Sequence, residues 1–345
     1  MRAAVVREYH EDLSLETVPD PDCPENGVVL KVDACGVCRS DHHGWVGQHP
    51  KVTNGSIMGH ESCGTVVEAG RSSQHKVGDR LIAPFILACG NCPECHTGVS
   101  NACKNAAVPG FGLPGAYAEY VAVPFDHNLV ARPESISPGL AAGLGCRVTT
   151  AWHALTDRAA VQAGEWVAVH GTGGIGMAAL LLAKMLGAQV VVVDVVAEKL
   201  ENALALGADA AVDASKVDVV EAIRDVTGGG AHVSIEALGI AQTTNASIEC
   251  LDVLGRHVQV GLPAGDHAQM VVNMNAVYVK QLAVYGTRGM PAWKYPTLLS
   301  MLERGAVDLS PMVAREVALS DASAELKAMD GPMGPGTAVI TDFLG

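Results

Sequence analysis

The chain has 345 residues, which is long for one domain and suits two, each with its own core. Apolar residues make up 49% and charged residues 17%, and no apolar run reaches the roughly 18 residues of a membrane span. A formal net charge of -14 disfavours nucleic acid, because phosphates attract basic surfaces. We therefore expect two lobes with a cleft between them, and neither membrane nor nucleic acid as a partner. The first seven residues lack the long apolar core of a secretory signal, so the predicted location is the cytoplasm.

The predicted elements change character along the chain. Up to about residue 130, short apolar runs alternate with Gly, Pro and Asp, which predicts a β-rich region. After residue 164 the pattern becomes apolar strand, glycine turn, apolar helix and strand again, which is typical of parallel βαβ units. The predicted fold class is therefore α/β, with a doubly wound Rossmann sheet and a separate β-rich domain. Five strands are predicted for the sheet, at 166–170, 189–194, 232–236, 257–261 and 282–285, with a helix over 174–186.

The tail from residue 289 predicts three features: a helix over 295–303, a glycine-proline run over 331–336 and a strand over 337–341. We expect this tail to return to the first lobe. The predicted domains are accordingly a discontinuous one of residues 1–147 and 289–345, and a nucleotide-binding one of residues 148–288.

One cluster of cysteines has the spacing of a closed metal site. Cys89, Cys92, Cys95 and Cys103 follow the pattern C-x2-C-x2-C-x7-C. Four thiolates at this spacing can surround zinc with no open position, which indicates a structural site. An iron-sulfur centre is the rival interpretation, but the fourth cysteine is distant and lacks the following proline. The scattered Cys23, Cys35, Cys63 and Cys250 are expected to be buried thiols.

A second zinc site is predicted from residues far apart in the sequence. Cys38, His60 and Cys146 supply two thiolates and one imidazole, a ligand set that leaves a fourth position for water or substrate. Glu61 could close that position transiently. Two zinc ions per chain are therefore expected, one catalytic and one structural.

Gly171, Gly173 and Gly176 lie in a glycine loop that also contains Gly174 and Ile175, between an apolar strand and an apolar helix. A dinucleotide fingerprint needs glycines there for a tight turn, for close approach of the pyrophosphate and for helix packing. Asp194 ends the next strand about 20 positions later, where it suits the adenosine ribose and would repel a 2′-phosphate. NAD is therefore predicted as the cofactor, in preference to NADP.

The segments 35–43 and 59–61, the four-cysteine loop and the glycine motif together resemble the zinc-dependent medium-chain alcohol dehydrogenases. The resemblance covers almost the whole chain and implies a GroES-like fold for the β-rich domain. It implies that Cys38 binds the catalytic zinc, that Arg39 contacts the cofactor pyrophosphate and that Ser40 touches the alcohol oxygen. Asp41 would orient the zinc-binding histidine, and His43 would end a proton relay. The neighbouring His42 is expected to be an exposed bystander.

Further residues are assigned by the same resemblance. Lys199 matches a lysine near the ribose in NAD-using members, and Thr150 matches a residue behind the nicotinamide. The remaining cofactor contacts would come from Gly261, Leu262 and Arg288, and the apolar substrate pocket from Trp45, Phe85 and Leu262.

The predicted activity is the reversible oxidation of primary or secondary alcohols to aldehydes or ketones, with hydride transfer to NAD. A polyol dehydrogenase and an L-threonine dehydrogenase are alternatives within the same fold, and a non-catalytic nucleotide-binding protein is an alternative of another class. The resemblance to bacterial members also implies a homo-oligomer, a tetramer or a dimer.

Overall fold

The computed structural model describes residues 1–331 and 336–344. Its strands, in chain order, are β1 (Arg2–Val5), β2 (Ser14–Thr17), β3 (Val28–Gly36), β4 (Glu61–Ala69), β5 (Arg80–Ala83), β6 (Tyr120–Val123), β7 (Val130–Ala131), β8 (Trp166–His170), β9 (Gln189–Asp194), β10 (Ala210–Asp213), β11 (Ala231–Glu236), β12 (Leu251–Gln259), β13 (Ala283–Gly286), β14 (Val313–Ala318) and β15 (Thr337–Asp342).

The α-helices are α1 (Arg39–Trp45), α2 (Pro93–His96), α3 (Pro138–Gly143), α4 (Thr149–His153), α5 (Gly174–Met185), α6 (Ala197–Ala205), α7 (Val219–Thr227), α8 (Ala241–Glu249), α9 (Met274–Lys280), α10 (Tyr295–Glu303) and α11 (Ala322–Ala328). Within residues 1–331 and 336–344, none of these helices has the length and apolar character needed to cross a bilayer.

The chain forms two compact units. The first unit consists of Met1–Thr149, Gly289–Gly305 and Ser310–Gly345, and the second of Thr150–Arg288 and Ala306–Leu309.

The first unit is built on a mixed sheet with the strand order β14-β15-β3-β4-β5-β7, in which β6 also pairs with β3. Strands β3 and β4 are antiparallel and carry alternating apolar side chains into a core that includes Leu30, Val66 and Tyr117. Strand β15 pairs with β3 on one side and with β14 on the other, so residues 337–342 form an internal strand of this sheet. The predicted strand over 337–341 is thus present, whereas residues 332–335 of the predicted glycine-proline run lie outside the described part.

The second unit is a six-stranded parallel sheet with the order β10-β9-β8-β11-β12-β13. The run Val190–Val193 is buried, as expected for a strand covered on both faces. The predicted α/β class with a doubly wound sheet is confirmed. The prediction of five strands was wrong, because β10 adds a sixth at one edge.

Candidate metal centres and nucleotide site

The four-cysteine loop brings its thiols together. Cys92 Sγ lies 3.4 Å from Cys95 Sγ and 3.6 Å from Cys103 Sγ, and Cys103 Sγ lies 3.5 Å from Cys89 Sγ. Sulfurs bound tetrahedrally to zinc at about 2.3 Å lie roughly 3.8 Å from one another, close to these separations. The cluster therefore fits a fully thiolate-bound zinc ion.

A second group of potential ligands converges in the first unit. Cys38 precedes α1, His60 directly precedes β4, Glu61 is the first residue of β4, and Cys146 follows α3. One ligand atom from each of these four residues lies within 4.8 Å of the others. Among the described residues, His60 Nε2 is buried and has no hydrogen-bond partner, so it is free to bind a metal. Thiolate and imidazole ligands suit zinc.

A kink in the chain at Gly145 positions Cys146. Gly145 has φ -15° and ψ -117° inside an otherwise helical stretch. A Cβ at this position would lie 2.6 Å from Glu61 Cβ, so only glycine leaves room for that side chain. The Cys146 amide then donates to Glu61 Oε1 at 3.0 Å. Glu61 thereby fixes the main chain that carries the Cys146 thiol.

Asp41 is completely buried and organises the same region. It accepts hydrogen bonds from the Cys38 amide at 3.0 Å, the Gly59 amide at 3.3 Å and the Tyr117 hydroxyl at 3.2 Å. Its Oδ1 also lies 2.9 Å from His60 Nδ1. A carboxylate on Nδ1 sets the ring orientation and leaves Nε2 facing the other ligands.

Glu61 has a partner that the sequence analysis missed. The guanidinium of Arg147 donates to Glu61 Oε2, and both side chains are buried. Burial raises the pKa of Glu61 to about 7, although the positive charge of Arg147 opposes this rise. Arg147 directly follows the predicted ligand Cys146 and is a single charged residue in an apolar stretch. That isolated charge was the sequence signal that could have indicated a buried partner.

The side chains of Cys38 and Cys146 are joined by a hydrogen bond. A hydrogen bond from Cys146 lowers the pKa of Cys38 well below its ordinary value, and the same contact raises the pKa of Cys146 well above it. A low thiol pKa favours the thiolate, which is the form that binds metals.

The residues predicted to move protons lie on α1, next to the second cluster. Ser40 Oγ is 3.9 Å from Cys38 Sγ, so the hydroxyl lies beside a predicted ligand. His43 is half-buried, and its Nδ1 is 2.8 Å from Gln48 Oε1. Arg39 is exposed and donates to the Met329 carbonyl at 2.6 Å.

The expectation that His42 is exposed was wrong. The His42 ring is buried next to the Trp45 ring, with 5.7 Å between the ring centroids. Its Nε2 lies 2.7 Å from Asp330 Oδ1, so the helix α1 is tied to the segment after α11.

Aromatic side chains surround the His60 imidazole. The Phe85 ring centroid is 5.9 Å from that of His60 and the Phe111 centroid is 5.2 Å from it. Trp45, by contrast, is buried with its indole N–H donating to the Glu11 carbonyl at 2.6 Å. Phe111 was missed because nothing in its local sequence links it to His60.

The glycine loop of the second unit lies between β8 and α5, as the fingerprint requires. Gly171 has φ +90°, a conformation that favours glycine. A Cβ at Gly176 would lie 1.8 Å from the Gly171 carbonyl oxygen, and a Cβ at Gly173 would meet nothing within 4 Å. The loop therefore has the tight turn, the close helix packing and the open main chain on which a pyrophosphate could lie.

Asp194 at the end of β9 is bonded to this loop. Its Oδ2 accepts from the Thr172 amide at 2.9 Å and from the Thr172 hydroxyl at 2.7 Å, and its Oδ1 accepts from the Val195 amide at 2.8 Å. Burial raises the pKa of Asp194, but the Thr172 bonds and the charge of Lys199 outweigh it and leave the pKa below its ordinary value. Asp194 is thus an anion that ties the strand end to the glycine loop.

The other predicted cofactor residues lie in several parts of the second unit. Thr150 is buried in α4, whereas Leu262 is 58% exposed in the segment after β12. Gly261 is buried beside Leu262, and Arg288 is exposed after β13.

The second unit has a parallel sheet with this glycine loop, and the first unit has two clusters that contain cysteine thiols. This combination is typical of metal-dependent oxidoreductases. The model of the alcohol dehydrogenase GroES-like domain matches residues 24–134, and that of the zinc-binding dehydrogenase matches residues 174–304.

Known proteins agree with these matches. An alcohol dehydrogenase of Geobacillus stearothermophilus is 38% identical over 294 residues, which are 84% of this chain and 85% of that protein. A sorbitol dehydrogenase of Halalkalibacterium halodurans is 30% identical and covers 92% of this chain and 93% of its own length. The structure of the alcohol dehydrogenase TADH from Thermus sp. ATN1 superimposes with a TM-score of 0.92 at 28% identity, covering 99% of this chain and 100% of its own. The chain therefore belongs to the zinc-type medium-chain alcohol dehydrogenase family.

Proposed function

We propose that the protein oxidises primary or secondary alcohols to aldehydes or ketones and transfers the hydride to NAD. The observation that carries the proposal is the convergence of buried Cys38 and His60 with half-buried Cys146, where Nε2 of His60 has no hydrogen-bond partner. Three ligands of this kind leave a fourth position for substrate. The first unit would be the catalytic zinc domain and the second unit the NAD-binding domain.

Each group of residues has a part in this proposal. Cys38, His60 and Cys146 would hold a catalytic zinc, and Cys89, Cys92, Cys95 and Cys103 a structural one. When bound, zinc supplies Lewis-acid chemistry that acidifies an alcohol near neutral pH, and NAD accepts the hydride. The glycine loop would bind the pyrophosphate, and Asp194 the adenosine ribose.

Ser40 and His43 are proposed to carry the proton. The Ser40 hydroxyl lies beside Cys38, where it could accept a proton from the alcohol. His43 is half-buried on the same helix and could pass that proton to solvent. Asp41 would keep the His60 ring oriented during turnover, because it bonds Nδ1.

The substrate pocket is proposed to be apolar around Phe85 and Phe111, whose rings flank His60. This favours neutral alcohols with apolar substituents over polyols. The relative named as a sorbitol dehydrogenase supports the polyol alternative. A substrate panel distinguishes the two.

The test measures NADH formation with primary, secondary, aromatic and polyhydric alcohols, with NADP in parallel and zinc content on the same sample. We expect turnover of simple alcohols with NAD at about two zinc ions per chain. Turnover confined to polyols would replace the proposal with its alternative. A protein that holds zinc and binds NADH but oxidises none of the alcohols would contradict the proposed activity.

We also propose that the protein is a homo-oligomer. Among the described strands, β13 has β12 as its single neighbour, so one edge of the parallel sheet is open. Apolar side chains are exposed nearby, including Tyr278 at 82% and Val284 at 48%. Light scattering on the wild type and on Val284→Lys tests this, because a charge on the edge strand should reduce the mass to that of a monomer.

A further inference from the structure

A buried carboxylate that the proposed chemistry does not use lies at the end of β11. The Glu236 side chain is fully buried. In the described part of the chain it accepts hydrogen bonds from neutral groups: the Leu238 amide at 3.0 Å, the Gly239 amide at 2.9 Å, the Thr243 hydroxyl at 2.6 Å and the Gln259 side-chain amide. Burying a carboxylate is costly unless such donors satisfy it. The amides of Leu238 and Gly239 therefore depend on the carboxylate for their partner.

Glu236 holds two separate loops. Its side chain binds the amides of Leu238 and Gly239 in the loop after β11. Its main-chain carbonyl accepts from the amides of Val260 at 2.9 Å and Gly261 at 2.8 Å, in the loop after β12. Both loops are thus attached to one residue of a central strand.

The two loops are packed against each other with their main chains in contact. A Cβ on Gly261 would lie 2.2 Å from the Gly239 nitrogen, and a Cβ on Gly239 would lie 2.3 Å from the Leu262 carbonyl oxygen. The two main chains are therefore packed too closely for a side chain at either glycine.

The first of these loops also reaches the dinucleotide fingerprint. A Cβ on Gly171 would lie 2.7 Å from Leu238 Cγ, so the Leu238 side chain packs directly on the first glycine of the motif. The rest of Leu238 is open to solvent, with 49% of the residue exposed. Leu262 is 58% exposed on the neighbouring loop.

The order of the strands indicates which half of a bound dinucleotide would reach Leu238 and Leu262. The carboxyl ends of parallel strands share one edge of the sheet, where ligands bind in doubly wound folds. Asp194 ends β9 on one side of the glycine loop, and the loops after β11 and β12 lie on the other side. If the adenosine half of a dinucleotide extends towards Asp194, its other half extends over Leu238 and Leu262.

We propose that Glu236 is a positioning residue for the nicotinamide half of the cofactor. It holds the loops that carry Leu238 and Leu262, so that both apolar side chains are fixed before the ring arrives. The inference rests on the proposed binding of NAD. Because Glu236 is fully buried, it would act through Leu238 rather than by contact with the cofactor.

The test compares NADH with AMP, which contains only the adenosine half, by calorimetry on the zinc-loaded protein. Glu236→Gln keeps the shape of the side chain but replaces one acceptor oxygen with a donor, so one or more loop donors lose their partner. We expect NADH to bind about tenfold more weakly and AMP to bind within about twofold of wild type. The exposed Glu221→Gln on the same unit is the matched control and should change neither affinity.

Leu238→Ala is the second variant, because it leaves the carboxylate and its donors in place and tests the inference even if Glu236→Gln does not fold. It should also weaken NADH and spare AMP. Wild-type affinity for NADH in the folded variants would overturn the inference. An equal loss of affinity for NADH and for AMP would also overturn it, because such a loss indicates general damage to the unit. Failure of the proposed function gives a different result, namely a wild-type protein that binds no NADH.

Discussion

Arg147 and Glu61 form an ion pair inside the first unit, with the guanidinium donating to a carboxylate that has no exposure to solvent. The other carboxylate oxygen accepts the amide of Cys146. A Cβ on Gly36 would lie 2.3 Å from Glu61 Oε2 and 3.2 Å from an Arg147 nitrogen, so two glycines, Gly36 and Gly145, leave the space that the pair occupies.

Arg147→Gln should destabilise the protein by about 3–5 kcal/mol, because it leaves a buried carboxylate without its counter-charge. The measurement is urea unfolding of the zinc-loaded protein at pH 8. The double variant Glu61→Gln, Arg147→Gln should lose less than the sum of the two single variants, since the two groups interact. Additive losses would show that the pair makes no coupled contribution.

Cys103→Ser should remove one zinc ion and leave the other. The four thiols of its cluster are spaced for a closed tetrahedral site, and a hydroxyl is a poor replacement for a thiolate. Zinc content should fall from about two to about one per chain, with a lower melting temperature. Cys250→Ser alters a buried cysteine outside both clusters and should keep the full metal content; equal zinc in both variants would argue against the structural site.

Two buried histidines are expected to make the second unit sensitive to acid. Burial lowers the pKa of His170 to about 3 and that of His257 to about 4. His257 Nδ1 lies 3.0 Å from the Ser247 hydroxyl and 3.2 Å from that of Ser234. Both rings are therefore held in their neutral form between the sheet and α8.

The lowered pKa values of His170 and His257 determine how the stability of the folded chain depends on pH. The unfolded chain binds protons at these histidines near the ordinary pKa of 6.5, whereas the folded chain does not, so stability rises with pH. We expect the stability that each neutral histidine contributes to be fully present above about pH 6.5. As the pH falls from there, this stability should be lost by up to about 1.4 kcal/mol per pH unit for each ring, until about pH 4 for His257 and about pH 3 for His170.

His257→Asn should flatten this dependence in urea unfolding series from pH 7 to pH 5. The exposed His96→Gln is the control and should retain the wild-type slope. An unchanged slope in His257→Asn would mean that acid acts through other groups.

Asp194→Ala should reduce the preference for NAD. The variant loses the anion that would repel a 2′-phosphate, and it also loses two bonds to Thr172 in the glycine loop. We expect the KM for NAD to rise about tenfold while the KM for NADP rises less or falls. Thr172→Val loosens the same loop without removing the charge, so it should affect both cofactors alike; a shared loss in Asp194→Ala would assign Asp194 a purely structural role.

The sequence predicted the elements with strong local patterns. The strands Trp166–His170 and Gln189–Asp194 and the helix Tyr295–Glu303 agree with their predicted bounds, because each combines a continuous apolar pattern with clear turn residues at its ends. Strand Ala210–Asp213 was missed because four residues rich in alanine carry little strand preference, and its place is set by pairing with β9.

The contacts that organise the site were less predictable. Asp41 was expected to approach the metal-binding histidine on the basis of resemblance alone. Neither the pairing of Arg147 with Glu61 nor the packing of Leu238 on Gly171 has a local signature, since each joins residues more than sixty positions apart. Tertiary contacts of this kind are decided by packing rather than by sequence pattern.

The position of β15 has a consequence for biosynthesis. The amide of Val37, next to Cys38, donates to the carbonyl of Ala338, and the hydroxyl of Thr337 donates to the carbonyl of Val37. Residue 337 is synthesised about 300 residues after residue 37. Domains generally fold as units during synthesis. The parallel sheet can therefore form while the first unit still lacks one of its internal strands. The segment that carries Cys38 then acquires these backbone partners only after residue 338 has been synthesised, so a metal site built on Cys38 would be completed after the parallel sheet.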